Sequence, residues 1–114
     1  MTRPPTTAPL APRTLPHSSR ADVSTAVPGR YAKQLVSHLG RKVHFVEDQG
    51  TWTATVDGTV ARITVADGAL VLQAEAPDVD SLARIEDALG GHLERFGQRS
   101  QLVVTWQRTS TAPA

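Results

Sequence analysis

Two of the four histidines stand where the residue pattern asks for apolar side chains. His38 belongs to the series Tyr31, Leu35, His38 and Leu39, and His92 to the series Leu82, Ile85, Leu89, His92, Leu93 and Phe96, both at helical spacing. An imidazole on the inward stripe of a helix has two uses. It can sit at the margin of the core, hydrogen-bonded to a carboxylate or a carbonyl, or it can meet a second imidazole from a neighbouring helix and offer neutral nitrogen donors to a ligand or metal. His44, on an adjacent strand, is placed to join such a pair. Zinc sites take three or four protein ligands, usually with a local His-x-x-x-His pair, which this chain lacks. The metal therefore stays unassigned; haem is an open reading without support in the sequence, and no cofactor is assigned.

Arg30, Lys33, Arg41 and Lys42 surround the first of these helices, and Arg95 and Arg99 extend the basic cluster from the second. Such a grouping holds carboxylates or phosphates through charge-assisted hydrogen bonds, or else it is a solvated face. The candidate ligand-binding residues are thus Arg30, Tyr31, Lys33, His38, Lys42, His92 and Arg95. Asp78, Asp80, Glu86 and Asp87 gather at the start and outer face of the second helix, where they suit its macrodipole and do not resemble a catalytic carboxylate pair. No Gly-x-Ser-x-Gly elbow occurs, and no catalytic residue is assigned. Gly90-Gly91 lies inside that helix at a cost of roughly 1 kcal/mol per glycine relative to alanine, so it needs a reason: close approach of another segment, a kink, or a bound ligand.

A chain of 114 residues holds one domain and one modest core. Its 12 basic and 11 acidic residues are interspersed to a net charge of +1, too little field to recruit nucleic acid or an anionic membrane. The absence of cysteine removes disulfides, thiolate metal sites and cysteine nucleophiles. Apolar runs such as Ala69 to Leu72 fall far short of the ~20 residues of a membrane helix. The proline-broken start is unlike a secretory signal, so a cytoplasmic location is expected.

The elements that must position the histidines follow from periodicity. Residues 1–19, with five prolines, read as a disordered tail, and 109–114 as a second one. Between them, 20–108 read as a single α+β domain. Ala21 to Val27 alternates as a strand that Pro28-Gly29 ends. A helix starts at Arg30, with Gly40 at the position of a left-handed cap. Strands are expected at 43–47, 51–56, 59–65 and 69–76, separated by Gln49-Gly50, Asp57-Gly58 and Asp67-Gly68, the last two being strong hairpin signals. A second helix, N-capped by Asp78 or Asp80, runs to Phe96. A last strand is expected at Gln101 to Gln107. The order is β-α-β-β-β-β-α-β, a largely antiparallel sheet with two helices packed on one face.

With these residues placed, the chain resembles the bacterial family known as domain of unknown function 2218. The resemblance spans about residues 20–108. It is carried by Arg30-Tyr31-x-x-Gln34-Leu35-x-x-His38 with Lys42, by Leu70-Val-Leu-Gln-Ala-Glu-Ala-Pro77, by Leu82-Ala-Arg-Ile-Glu-Asp87 and by His92-Leu-Glu-Arg-Phe96. It implies an association with siderophore-interacting ferric reductases, and hence with bacterial iron uptake. Relatives often carry a second histidine just before the lysine, where this chain has Arg41.

The expected function is a non-catalytic ligand- or protein-binding accessory domain linked to siderophore or iron handling, partnered by a ferric-siderophore reductase or iron-uptake component, as a monomer or homodimer. Two alternatives from other classes are an enzyme-like site using His38 and His92 as acid and base, and a structural dimerisation module pairing through a strand edge.

Overall fold

The computed structural model describes residues 15–110. The elements are β1 (His17–Ser24), α1 (Pro28–Leu39), β2 (Val46–Asp48), β3 (Thr51–Val56), β4 (Thr59–Ala66), β5 (Ala69–Ala76), α2 (Val79–Glu86), a π-helical turn (Asp87–Gly91), α3 (His92–Phe96), a 3-10 turn (Gln98–Ser100) and β6 (Gln107–Ser110). The strands form one antiparallel sheet in the order β2-β3-β4-β5-β1-β6. The α+β class and the expected order of strands and helices are those observed.

Strands β2 to β5 are a meander because their connections are two-residue turns. Gln49-Gly50 and Asp57-Gly58 carry positive φ at both residues, the geometry of primed hairpin turns, whereas in Asp67-Gly68 only the glycine does. The chain's first strand is then internal. β1 pairs along its length with β5, from His17 opposite Ala76 to Ser24 opposite Ala69, and β6 covers the first half of its other edge.

Several boundaries differ from the sequence expectation, among them the end of β1, at Ser24 rather than Val27, and β2, at Val46–Asp48 rather than 43–47. β1 starts at His17 rather than Ala21, because eight-residue β5 offers partners as far as Ala76; residues 17–19 belong to the sheet and not to a tail. Helix α1 starts at Pro28, whose fixed φ and missing N–H suit the first helical position. Gly40 is right-handed at φ −63°, and the N–H groups of Lys42 and Val43 both bond to Leu39 O, so the chain leaves the helix through a further turn rather than a left-handed cap. The last strand occupies 107–110 instead of 101–107. Leu102 N–H bonds to Gly97 O and Val104 N–H to a Glu94 carboxylate oxygen, which tie the preceding stretch to the end of α3 and away from the sheet. Thr109 and Ser110, expected in a tail, pair with Ser18 and His17. Residues 1–14 and 111–114, the rest of both expected tails, lie outside the described residues.

All helices lie on one face of the sheet. Tyr31, Ala32 and Leu35 of α1, with Leu89 and Leu93, are buried against Ala21, Val23, Ala61, Ile63, Leu70 and Leu72 of the strands. Leu82 packs separately on Ala74 and Ala76. The other face is polar, with a Thr51–Thr64 hydroxyl pair at 3.0 Å and an Arg62–Glu75 ion pair at 3.2 Å. Helix α2 is N-capped by Asp78, whose carboxylate accepts the Ser81 N–H at 2.7 Å and is thereby held below its ordinary pKa. Through Glu86, Asp87, Gly91 and His92 the backbone stays right-handed helical, so α2, the π turn and α3 form one continuous segment.

Gly90 of the glycine pair has a steric reason. A Cβ on Gly90 would lie 2.9 Å from Trp106 Nε1 and 3.1 Å from Val104 Cγ1, so glycine lets the 101–106 stretch pack directly on the helix. Among the described residues no helix is long and apolar enough to cross a membrane.

Candidate functional site

His92 is the first residue of α3 and follows the π turn, a one-turn irregularity often found beside functional groups. Its Nδ1 lies 2.7 Å from the carbonyl of Ala88, which can only accept. The Nδ1 therefore carries a proton, and Nε2 is the nitrogen left for another partner. His38, in the last turn of α1, brings its ring centre to 4.6 Å from that of His92, with the planes inclined at 44°. Phe96, one turn beyond His92, meets His38 edge-on at 5.5 Å and lies 6.5 Å from His92. Three half-buried rings thus clasp α1 to α3. Neither ring nitrogen of His38 has a hydrogen-bond partner among the described residues.

The electrostatics around the pair are one-sided. Partial burial pushes the His38 pKa below its ordinary value, and positive charge on His92, Arg41, Arg95 and Lys42 pushes it further in the same direction. At neutral pH His38 is a neutral imidazole. Arg41, Lys42 and Arg95 are exposed, and none forms a salt bridge among the described residues. Two nitrogen-bearing rings flanked by three exposed cations that form no salt bridge among the described residues can accept a multiply charged anion, the imidazoles adding either hydrogen bonds or metal–nitrogen bonds.

Of the residues expected at the site, His38, Lys42, His92 and Arg95 come together, and Arg41 from the same basic cluster joins them. Arg30 and Lys33 are exposed elsewhere on α1: Arg30 begins two turns before His38, and Lys33 faces about 140° away around the helix. Tyr31 is buried in the core, and its hydroxyl donates to Ser100 Oγ at 3.4 Å, tying α1 to the 3-10 turn. His44 is exposed ahead of β2 and has no ring contact with the pair; Arg99 is exposed on the 3-10 turn. Among the described residues no cluster of three or more His, Asp or Glu is arranged to hold a metal ion. The ring wall formed by Phe96 and the carbonyl of Ala88 were missed as site components. The signal for both was helical spacing, since each lies four residues from His92.

A second polar cluster lies where α2 meets the far edge of the sheet. The Arg108 guanidinium bonds both oxygens of Glu86, at 2.7 and 2.9 Å. This contact holds the Glu86 carboxyl below its ordinary pKa despite burial, and the buried Ser19 hydroxyl nearby adds to the effect without a well-formed hydrogen bond.

The fold and site together define a two-layer α+β domain whose helical layer carries a basic, imidazole-bearing surface. The chain belongs to the family described as an uncharacterised protein conserved in bacteria, domain of unknown function 2218, which matches residues 20–107. The NMR structure of PA4090 from Pseudomonas aeruginosa has the same fold, with a TM-score of 0.67 at 22% identity over 82% of this chain and 96% of that one. No curated protein matches the sequence.

Proposed function

We propose that this chain is a non-catalytic binding module that takes a small polycarboxylate ligand on the face shared by α1 and α3. The observation carrying this reading is the set of three unpaired cations, Arg41, Lys42 and Arg95, gathered around the His38–His92 pair. Unpaired cations on one patch repel each other and are relieved by a bound anion, whereas cations serving only solubility are usually interspersed with carboxylates. The family resemblance supports a ligand of the ferric-siderophore kind and a cytoplasmic partner in iron uptake such as a ferric-siderophore reductase.

Calorimetric titration of the full chain with citrate tests the reading. Saturable binding at one site is expected, weakened roughly tenfold by Arg95→Ala through loss of one charge-assisted contact. Binding of equal strength in an Arg41→Ala, Lys42→Ala and Arg95→Ala triple variant would remove the site from this face.

A further inference from the structure

We propose that His38 and His92 coordinate a metal ion carried inside an anionic chelate, filling two neighbouring positions of its coordination shell while Arg41, Lys42 and Arg95 hold the chelate's carboxylates. This deepens the binding reading above and rests on it. Four observations lead here. First, the Ala88 carbonyl fixes the His92 tautomer and ring, which is how metal-ligating histidines are oriented by an outer partner. Second, the His38 nitrogens are solvent-accessible and have no protein partner among the described residues, so they are open to a ligand.

Third, the ring separation fits. With metal–nitrogen bonds of about 2.0–2.1 Å, a ring centre stands about 3.2 Å from the metal, so two imidazoles at a right angle have centres about 4.5 Å apart, and tetrahedral ones about 5.2 Å. The observed separation is 4.6 Å. Fourth, the site offers two nitrogens and no third protein ligand among the described residues, so the metal must bring the rest of its shell with it. The surrounding cations choose the form in which it comes. Arg41, Lys42 and Arg95 repel a bare dication, and they attract a complex whose carboxylates make it negative. The metal is cargo rather than a resident cofactor. Binding exchanges two metal-bound waters for two imidazole nitrogens, with no change of oxidation state.

Nickel nitrilotriacetate is the probe, because the chelator fills four of nickel's six positions, leaves two adjacent ones open and gives a net negative complex. Calorimetry of the full chain should show one-to-one binding of this complex, with a shift of the nickel absorption bands as nitrogen replaces water. His38→Ala or His92→Ala should each weaken it by more than about a hundredfold, the upper end of what losing only an orienting partner costs. Arg95→Glu, an exposed change that leaves the rings in place, should weaken the chelate roughly tenfold and strengthen bare nickel binding. This variant decides the matter if an alanine variant fails to fold. Bare nickel binding as tightly as the chelate to the unaltered chain would overturn the proposal. Metal-free nitrilotriacetate or citrate binding as tightly as the nickel complex would also overturn it while leaving the anion site standing. No binding of any of these probes would remove both readings.

Discussion

The two polar clusters of the helical layer have opposite construction. At Glu86 and Arg108 a mostly buried carboxylate meets a guanidinium through two hydrogen bonds, so each charge is answered within the protein. At His38 and His92 the charges nearby are all of one sign and the imidazoles meet each other. The first arrangement is complete when the chain has folded. On the proposed binding reading the second is completed by an anion, and an unanswered charge cluster on an otherwise balanced chain is then the better guide to function than a well-made ion pair.

The largest effect should come from breaking the complete cluster. Arg108→Ala leaves the mostly buried Glu86 carboxylate without its partner and should lower the urea midpoint clearly, though by less than loss of a fully buried pair because the guanidinium is half exposed. Its anion binding should be unchanged. Next comes the contact that supports it. Gly90→Ala drives a methyl into Trp106 and Val104 and should destabilise by about 1–2 kcal/mol, overpacking outweighing better helix propensity. Gly91→Ala meets only the flexible Asp87 carboxylate at 3.3 Å and should be neutral or stabilising by up to about 1 kcal/mol. If both alanines behave alike, the packing account of the pair is wrong.

Acid titration separates the clusters along the pH axis. His38 has a lowered pKa in the folded protein, so the unfolded chain takes up its proton first, and stability falls as pH drops below about 6.5. The lowered Glu86 carboxyl contributes stability that is complete above about 4.3 and is lost as pH falls through its folded value. Thermal midpoints measured from pH 8 to pH 3 should decline in two steps, with His38→Ala removing the upper one and Glu86→Gln reducing the lower, to which the Asp78 cap also contributes. The smallest effect belongs to the incomplete cluster. Arg95→Ala should change unfolding free energy by no more than about 0.5 kcal/mol, while reducing citrate affinity. A loss of stability comparable to that of Arg108→Ala would show that the cations are structural after all.

Much of this was legible in residue order. The Asp57-Gly58 turn set the meander, and the stripes that put His38 and His92 inward were visible as helical spacing. What escaped was tertiary. His17-Ser18-Ser19 has no apolar alternation and becomes strand only because β5 and β6 supply partners on both sides. Gln101 to Gln107 alternates as a strand should, and its inward residues Leu102, Val104 and Trp106 do pack inward. Yet the Glu94 carboxylate and the Gly97 carbonyl claim its backbone donors before the sheet can. At the site, composition grouped Arg30 and Lys33 with Arg41 and Lys42, since position along a chain does not reveal which side of a helix faces a neighbour. The contact between α1 and α3 made that selection.

The most direct test of the central claim is to follow the imidazole signals of labelled full-length protein by NMR while citrate is added. The account predicts saturable shifts at His38 and His92, with the His17 and His44 rings unmoved. Equal shifts at all four histidines, or none at the pair, would contradict it.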